Sequence, residues 1–171
     1  MKNIKIIGLA IALLLVALLV ISGIKQKHRG ALEENIASLK KQKEFTQEIS
    51  KSIFFLSKNH NHIGHAELNK TIKRFLSNIN NSGSINKETT TLWNRFYLDV
   101  QRFRDNINHS SIYSKILLDK EINELYMTNL KLVVELEKLI RAKESKLSTI
   151  SKVYMIFEYG TFAIIAILLT T

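Results

Sequence analysis

The sequence predicts an all-α protein, an antiparallel up-down four-helix bundle set between two transmembrane helices. Three observations predict it. Proline and cysteine are both absent from the 171 residues, so no proline interrupts a long helix. The longest apolar runs lie at the two ends of the chain. Between them apolar residues recur at helical spacing, without the alternation of a strand. The first and last helices are expected to be long and continuous with the spans.

The N-terminal element is the run Ile6 to Ile24, IIGLAIALLLVALLVISGI, 19 residues without a charge. As a helix it covers roughly 28 Å, the thickness of a bilayer's hydrocarbon. A secretory signal peptide is the rival reading, with Lys2 and Lys5 as its basic start. Its apolar core runs to only about 7–15 residues, and Ser22-Gly23 does not complete a small-x-small cleavage site. Residues 1–25 are therefore assigned to an uncleaved transmembrane helix.

Residues 26–152 hold four helical patterns. In the first, Leu32, Ile36 and Leu39 are followed by Ile49, Ile53 and Leu56. Leu68, Ile72, Phe75 and Ile79 form the second, and Leu92, Phe96, Val100, Phe103 and Ile107 the third. The fourth alternates by four and three through Leu118, Ile122, Leu125, Asn129, Leu132, Leu136 and Leu139. That is a heptad seam with one polar insertion, a device that fixes register in coiled coils. Breaks are expected at Asn59–His65, where Gly64 adds a turn former, at Asn80–Asn86 and at Asn106–Ser111. Asn86 is placed to cap the third helix. Loops this short make neighbouring helices antiparallel.

Residues 153–171 form the second span, with Val153 to Leu169 as its apolar run. Glu158 enters near its start, where a carboxylate still reaches the interface, and Tyr154 and Tyr159 suit that depth. No basic anchor follows before Thr171, so either a chain cut within a longer protein or one whose work ends in the membrane is expected. Lys25, Lys27, Arg29 and Lys152 flank the middle region. A simple count would keep that region in the cytoplasm, but the rule holds only for loops below about 60 residues.

The formal charge is +10, and +9 of it lies between the spans. The cations are spread over all four patterns, without a recognition motif or an aromatic-interleaved groove, so nucleic acid is not an expected partner. Lipid headgroups or a small acidic ligand account for the charge. Without cysteine there is no thiolate metal site and no thiol nucleophile. No phosphate loop, nucleophile elbow or metalloprotease motif occurs, so neither an enzyme nor a cofactor is expected.

Positions 40–48 interrupt the first seam, with Phe45 the only apolar residue. Lys43, Thr46, Gln47 and Ser50 share one helical face. If that face met its symmetry mate in a homodimer, cationic and neutral donors would converge on a small anion. The plainer reading is a solvated stretch with Lys40–Glu44 and Glu48–Lys51 pairs.

The stretch Lys41-Gln-Lys-Glu-Phe-Thr-Gln-Glu-Ile-Ser-Lys51 resembles the Arg-Gln-Arg-Met-Leu-Ser-Gln-Lys-Met-x-Lys pattern. That pattern opens the sensory domain of type IV pili methyl-accepting chemotaxis transducers and of nitrate/nitrite sensor kinases. Leu92-Trp93 with Phe96, Tyr113 to Leu118, and Asn123 to Leu139 are similar to later parts of the same domain. The resemblance implies a dimeric periplasmic bundle in the bacterial inner membrane, coupled to a cytoplasmic signalling module. It implies an anion such as nitrate or nitrite, with Lys43 at the position of the clamping arginine and Lys41 at that of an earlier one. Lysine keeps the charge and loses the bidentate fork, and Glu44 adds repulsion. The ligand set expected is Lys43, Gln47, Thr46 and Lys41.

Other groups weigh less. His60, His62 and His65 in the first break and His109 in the third offer a weak alternative site for zinc, copper or nickel. Trp93, Phe96, Tyr97 and Phe103 form an aromatic stripe that reads as core. The rival for the whole chain is a membrane-anchored coiled-coil structural or assembly protein that senses nothing.

Overall fold

Proline, which would interrupt a helix from within, is absent, and the chain forms long unbroken helices. The computed structural model describes residues 2–58, 62–81, 85–108 and 115–170. Helices α1 (Lys2–Lys58), α2 (His62–Asn81), α3 (Lys87–Asn108) and α4 (Lys115–Thr170) follow in chain order. No strand occurs among the described residues. The fold is the expected all-α four-helix bundle with two long apolar terminal helices, α1 of 57 residues and α4 of 56.

Two of the expected breaks shift. Gly64 and His65 lie in the first turn of α2 instead of in the break. Glycine inside a helix costs only about 1 kcal/mol, and Leu68, Ile72 and Phe75, all buried, hold that helix in place. Asn106 and Ile107 likewise belong to α3, with Ile107 in the core. The α3 cap is as expected: the Thr89 amide donates to Asn86 Oδ1 at 2.8 Å.

The chain divides into two compact units. One is Asn35–Arg141, the bundle. Its core is built from one stripe per helix: Ile49, Ile53 and Leu56 from α1, Leu68 and Phe75 from α2, Phe96 and Phe103 from α3, and Leu125, Leu132 and Leu136 from α4. The α1 stripe does not stop at the polar stretch. Leu39, Gln42, Thr46, Ile49, Ile53 and Leu56 are all buried, and their spacing alternates three and four. An unbroken helix presents those positions to the core whatever side chains they carry. The aromatic stripe packs as core too. Phe75 and Trp93 stack with centroids 3.5 Å apart, and Phe45 meets Phe75 edge-on at 6.3 Å. Arg74 lies over the Phe45 ring at 5.2 Å.

The other unit is Met1–Glu34 with Ala142–Thr171. Both of its helical parts are long and apolar enough to cross a membrane, and no residue of either 18-residue apolar window is buried in the protein. Ile6, Leu9, Leu13, Ile156, Phe162 and Ile167 all point outwards. In water each such side chain forgoes about 1.5–3 kcal/mol of burial, which a bilayer supplies. Within this unit Lys25 Nζ donates to both oxygens of Glu158, at 2.8 and 2.9 Å. Tyr154 and His28 face each other at 3.5 Å.

Phe96 is fully buried, whereas Leu98 on the same helix is 59% exposed. Phe96→Ala is expected to lower bundle stability by about 3–5 kcal/mol, and Leu98→Ala by about 0.5 kcal/mol or less. Denaturant unfolding followed by circular dichroism measures both.

Candidate functional site

The bundle unit brings the polar stretch of α1 against α4. Heptad geometry sorts the stretch into three faces. Gln42 and Thr46 fall in the core stripe, Lys41 and Glu44 face solvent, and Lys43, Gln47 and Ser50 lie on the flank next to α4.

The four residues expected to hold a ligand therefore part company. Thr46 is buried, and its hydroxyl donates to the Lys43 carbonyl at 2.8 Å. Lys41 is exposed. Lys43 turns to α4 and donates to Glu137 Oε1 at 2.6 Å. Gln47 lines a concavity.

That concavity is a groove of about 440 Å³ between α1 and α4. Gln47, Ser50, Lys51 and Phe54 line it from α1, with Tyr126 and Asn129 facing them from α4. Leu130 and Val133 complete the apolar wall. Two of its polar atoms are unusual. Ser50 Oγ and Asn129 Oδ1 are buried and have no hydrogen-bond partner. Asn129 is the polar insertion of the α4 seam, and it is only 7% exposed. A buried polar group left unpaired costs about 1–3 kcal/mol, so these two enclosed atoms weaken the packing of α1 against α4 at this level. Sequence reasoning singled out Asn129 for register and Ser50 for its face. The pairing of the two across a groove arises from how α1 and α4 pack.

A second groove, between α3 and α4, is lined by Glu88, Thr91, Leu92, Met127, Lys131 and Val134, among others. Leu130 borders both grooves. Around it, Met127, Leu130 and Val134 are all 44–47% exposed, a short apolar stripe at heptad spacing on the outside of α4.

The expected histidine cluster falls mostly outside the described residues. His60 and His109 lie beyond them, and so does the side chain of His62. His65 is half-buried in α2. Among the described residues no group of three or more His, Cys, Asp or Glu side chains is placed to hold a metal ion.

The Lys43–Glu137 contact bears on acid behaviour. The hydrogen bond and charge of Lys43 hold the Glu137 carboxyl below its ordinary value, against a smaller opposing effect of burial, and Arg141 adds in the same direction. Because the folded-state value is depressed, the pair's contribution to stability is complete above the ordinary glutamate value. It is lost as pH falls through the depressed one. Carboxyl-selective NMR titration is expected to show Glu137 titrating below 4.5, and Lys43→Met to move it back up.

Set against models of known protein families, curated proteins and solved structures, the chain matches none.

Proposed function

We propose that the chain is the sensory module of a membrane-bound bacterial signal transducer, in which a small anionic ligand is recognised on the α1–α4 side of the bundle. The carrying observation is that α1 and α4 are at once the two helices whose long apolar ends bury nothing in the protein and the two whose side chains line this groove. A ligand between them acts on the same two rods that enter the membrane. Lys41, Lys43 and Lys51 on α1 give that side a positive potential that draws anions. The resemblance of Lys41 to Lys51 to the opening of the pili-transducer and nitrate-sensor domains supports the same reading. A bound ligand shifts the module only by its difference in affinity between two arrangements of α1 and α4. The second span then passes the shift to a cytoplasmic signalling partner.

The module acts as a homodimer in this proposal. The stripe of Met127, Leu130 and Val134 has the spacing of a coiled-coil seam. Two chains held in one membrane present it side by side, as a two-fold interface requires. The same stripe is what the rival reading, a membrane-tethered assembly protein, would use to hold its partner.

Topology separates the two. The chain has no cysteine, so single probes are clean. Glu67 on α2 and Lys5 at the other end are both exposed. In spheroplasts an impermeant maleimide is expected to label Glu67→Cys, and to label Lys5→Cys only after permeabilisation. Protection of Glu67→Cys until permeabilisation would put the bundle in the cytoplasm and sink the sensor reading. For the dimer, Leu130→Glu is expected to convert the species seen by sedimentation in detergent from two chains to one.

A further inference from the structure

We propose that Lys27 on α1 and Lys152 on α4 bind the headgroups of anionic phospholipids. Each holds one phosphate above a column of exposed apolar side chains that takes the acyl chains. The proposal rests on the reading of the two apolar ends as membrane spans.

The register of the two helices sets the level. Lys25 meets Glu158 at 2.8 and 2.9 Å, and three residues on His28 meets Tyr154 at 3.5 Å. The helices are therefore antiparallel here, and residues 153–157 stand level with residues 25–29. The charge-free run of α1 ends at Ile24, so α4 stays apolar for about 7 Å beyond it. Val153, Met155, Ile156 and Phe157 sit at that height, all exposed. One layer is thus basic on α1 and apolar on α4. A bilayer has one zone that suits both, the boundary between its phosphates and its acyl chains.

The cations of this layer differ in what they already hold. Lys25 is committed to Glu158 and Arg29 to Glu33. Lys27 and Lys152 are exposed and form no ion pair with a described residue. No Asp or Glu stands three or four positions from either, so their own helices offer them no partner. Each lies two positions from a residue of the α1–α4 contact, Lys25 and Tyr154. That places it about 200° round its helix, facing away from the other. Towards the apolar ends, Ile24 and Val20 follow Lys27 at i−3 and i−7, and Ile156 and Tyr159 follow Lys152 at i+4 and i+7. All four are exposed, Ile156 and Tyr159 at 68%. An ammonium one turn above such a column has the outline of one phospholipid, phosphate above and acyl chain beside the helix. Residues 25–30 and 152–158 carry Lys25, Lys27, Arg29 and Lys152 against the single acid Glu158. A headgroup of net negative charge suits that balance better than a zwitterion, whose own cation is repelled.

Spin-labelled lipids test this with the full chain in phosphatidylcholine vesicles. Electron paramagnetic resonance gives the fraction of labelled phosphatidylglycerol, and separately of labelled phosphatidylcholine, that the protein restrains. Phosphatidylglycerol is expected to be preferred at least about twofold, the average over the whole boundary of two sites each worth about fivefold. Lys27→Gln with Lys152→Gln is expected to lose most of that preference. The charge-matched pair Lys70→Gln with Lys73→Gln, on exposed lysines of α2, is expected to keep it. A preference that survives the first pair, or that the second loses equally, would overturn the proposal. So would equal restraint of both lipids, or displacement of the labelled lipid by soluble glycerol phosphate, which would mean an anion site without an acyl column. The failures separate. Vesicles in which no labelled lipid is restrained would sink the spans and the lipid sites together. Maleimide labelling that puts the bundle in the cytoplasm would lose the sensor and leave the lipid preference in place.

Discussion

Two helices of more than fifty residues each join an amphipathic part to a long apolar end, and that change of composition shapes everything else. Within Asn35–Arg141 each helix is polar on its outer face and apolar on one stripe. Within Met1–Glu34 and Ala142–Thr171 the same helices are apolar around the circumference. The transition occurs without a change of backbone, since α1 and α4 carry no break. A helix can do this because its hydrogen bonds are internal and indifferent to what surrounds them, so only the side chains need change at the boundary. Ion pairs collect near that change of composition: Arg29 with Glu33, and Lys25 with Glu158.

Inside the bundle the same continuity forces polar groups into the core. The α1 stripe must pass through positions 42 and 46, and the sequence there supplies glutamine and threonine. Thr46 is satisfied locally through the Lys43 carbonyl. On α4, Thr128 donates to Asp99 on α3 at 3.1 Å, while Asn129 has no such partner. Buried polar groups in a heptad seam favour one register over its neighbours, because any slip by a heptad position would place them against aliphatic side chains. A bundle of this kind gives up some stability at those levels and gains a defined alignment of α1 against α4. That alignment is what keeps Ser50 and Asn129 on opposite walls of one groove.

This also explains how much the sequence revealed. Helix number, most of each core stripe and the Asn86 cap follow from local periodicity and side-chain chemistry and were legible, although Leu92, Ile122 and Leu139 are only half-buried. The aromatic stripe of α3 read correctly as core for the same reason. The face of α1 was legible only in part. Spacing placed Lys43, Thr46, Gln47 and Ser50 together, since they lie within one side of the helix. It did not say where the core stripe ran through a stretch with a single apolar residue. Leu39 and Ile49 bracket the gap, and counting three and four between them leads to Gln42 and Thr46. That was the available signal for Thr46 as an inward residue. Glu137 as the partner of Lys43 had no local signal, being 94 residues distant and dependent on how α4 lies against α1. The orphaned oxygens were beyond sequence reasoning altogether, because an unpaired atom is defined by what the fold fails to bring near it.

The Lys25–Glu158 pair limits the kind of motion that the unit of Met1–Glu34 and Ala142–Thr171 can accept. Glu158 stands within the apolar run of α4, and both of its oxygens are held by one ammonium on α1. Sliding one helix past the other by a full turn, about 5.4 Å, would carry the carboxylate away from that ammonium. Separating the pair leaves a partly buried carboxylate without its counter-charge, which is unfavourable. A one-turn ratchet is therefore disfavoured by that cost. A rotation, a tilt or a slide of about 1–2 Å leaves the long lysine side chain able to follow its partner. The relative motion that these two helices accept is therefore a small one, and the ion pair that restricts its amplitude also keeps them in a single register.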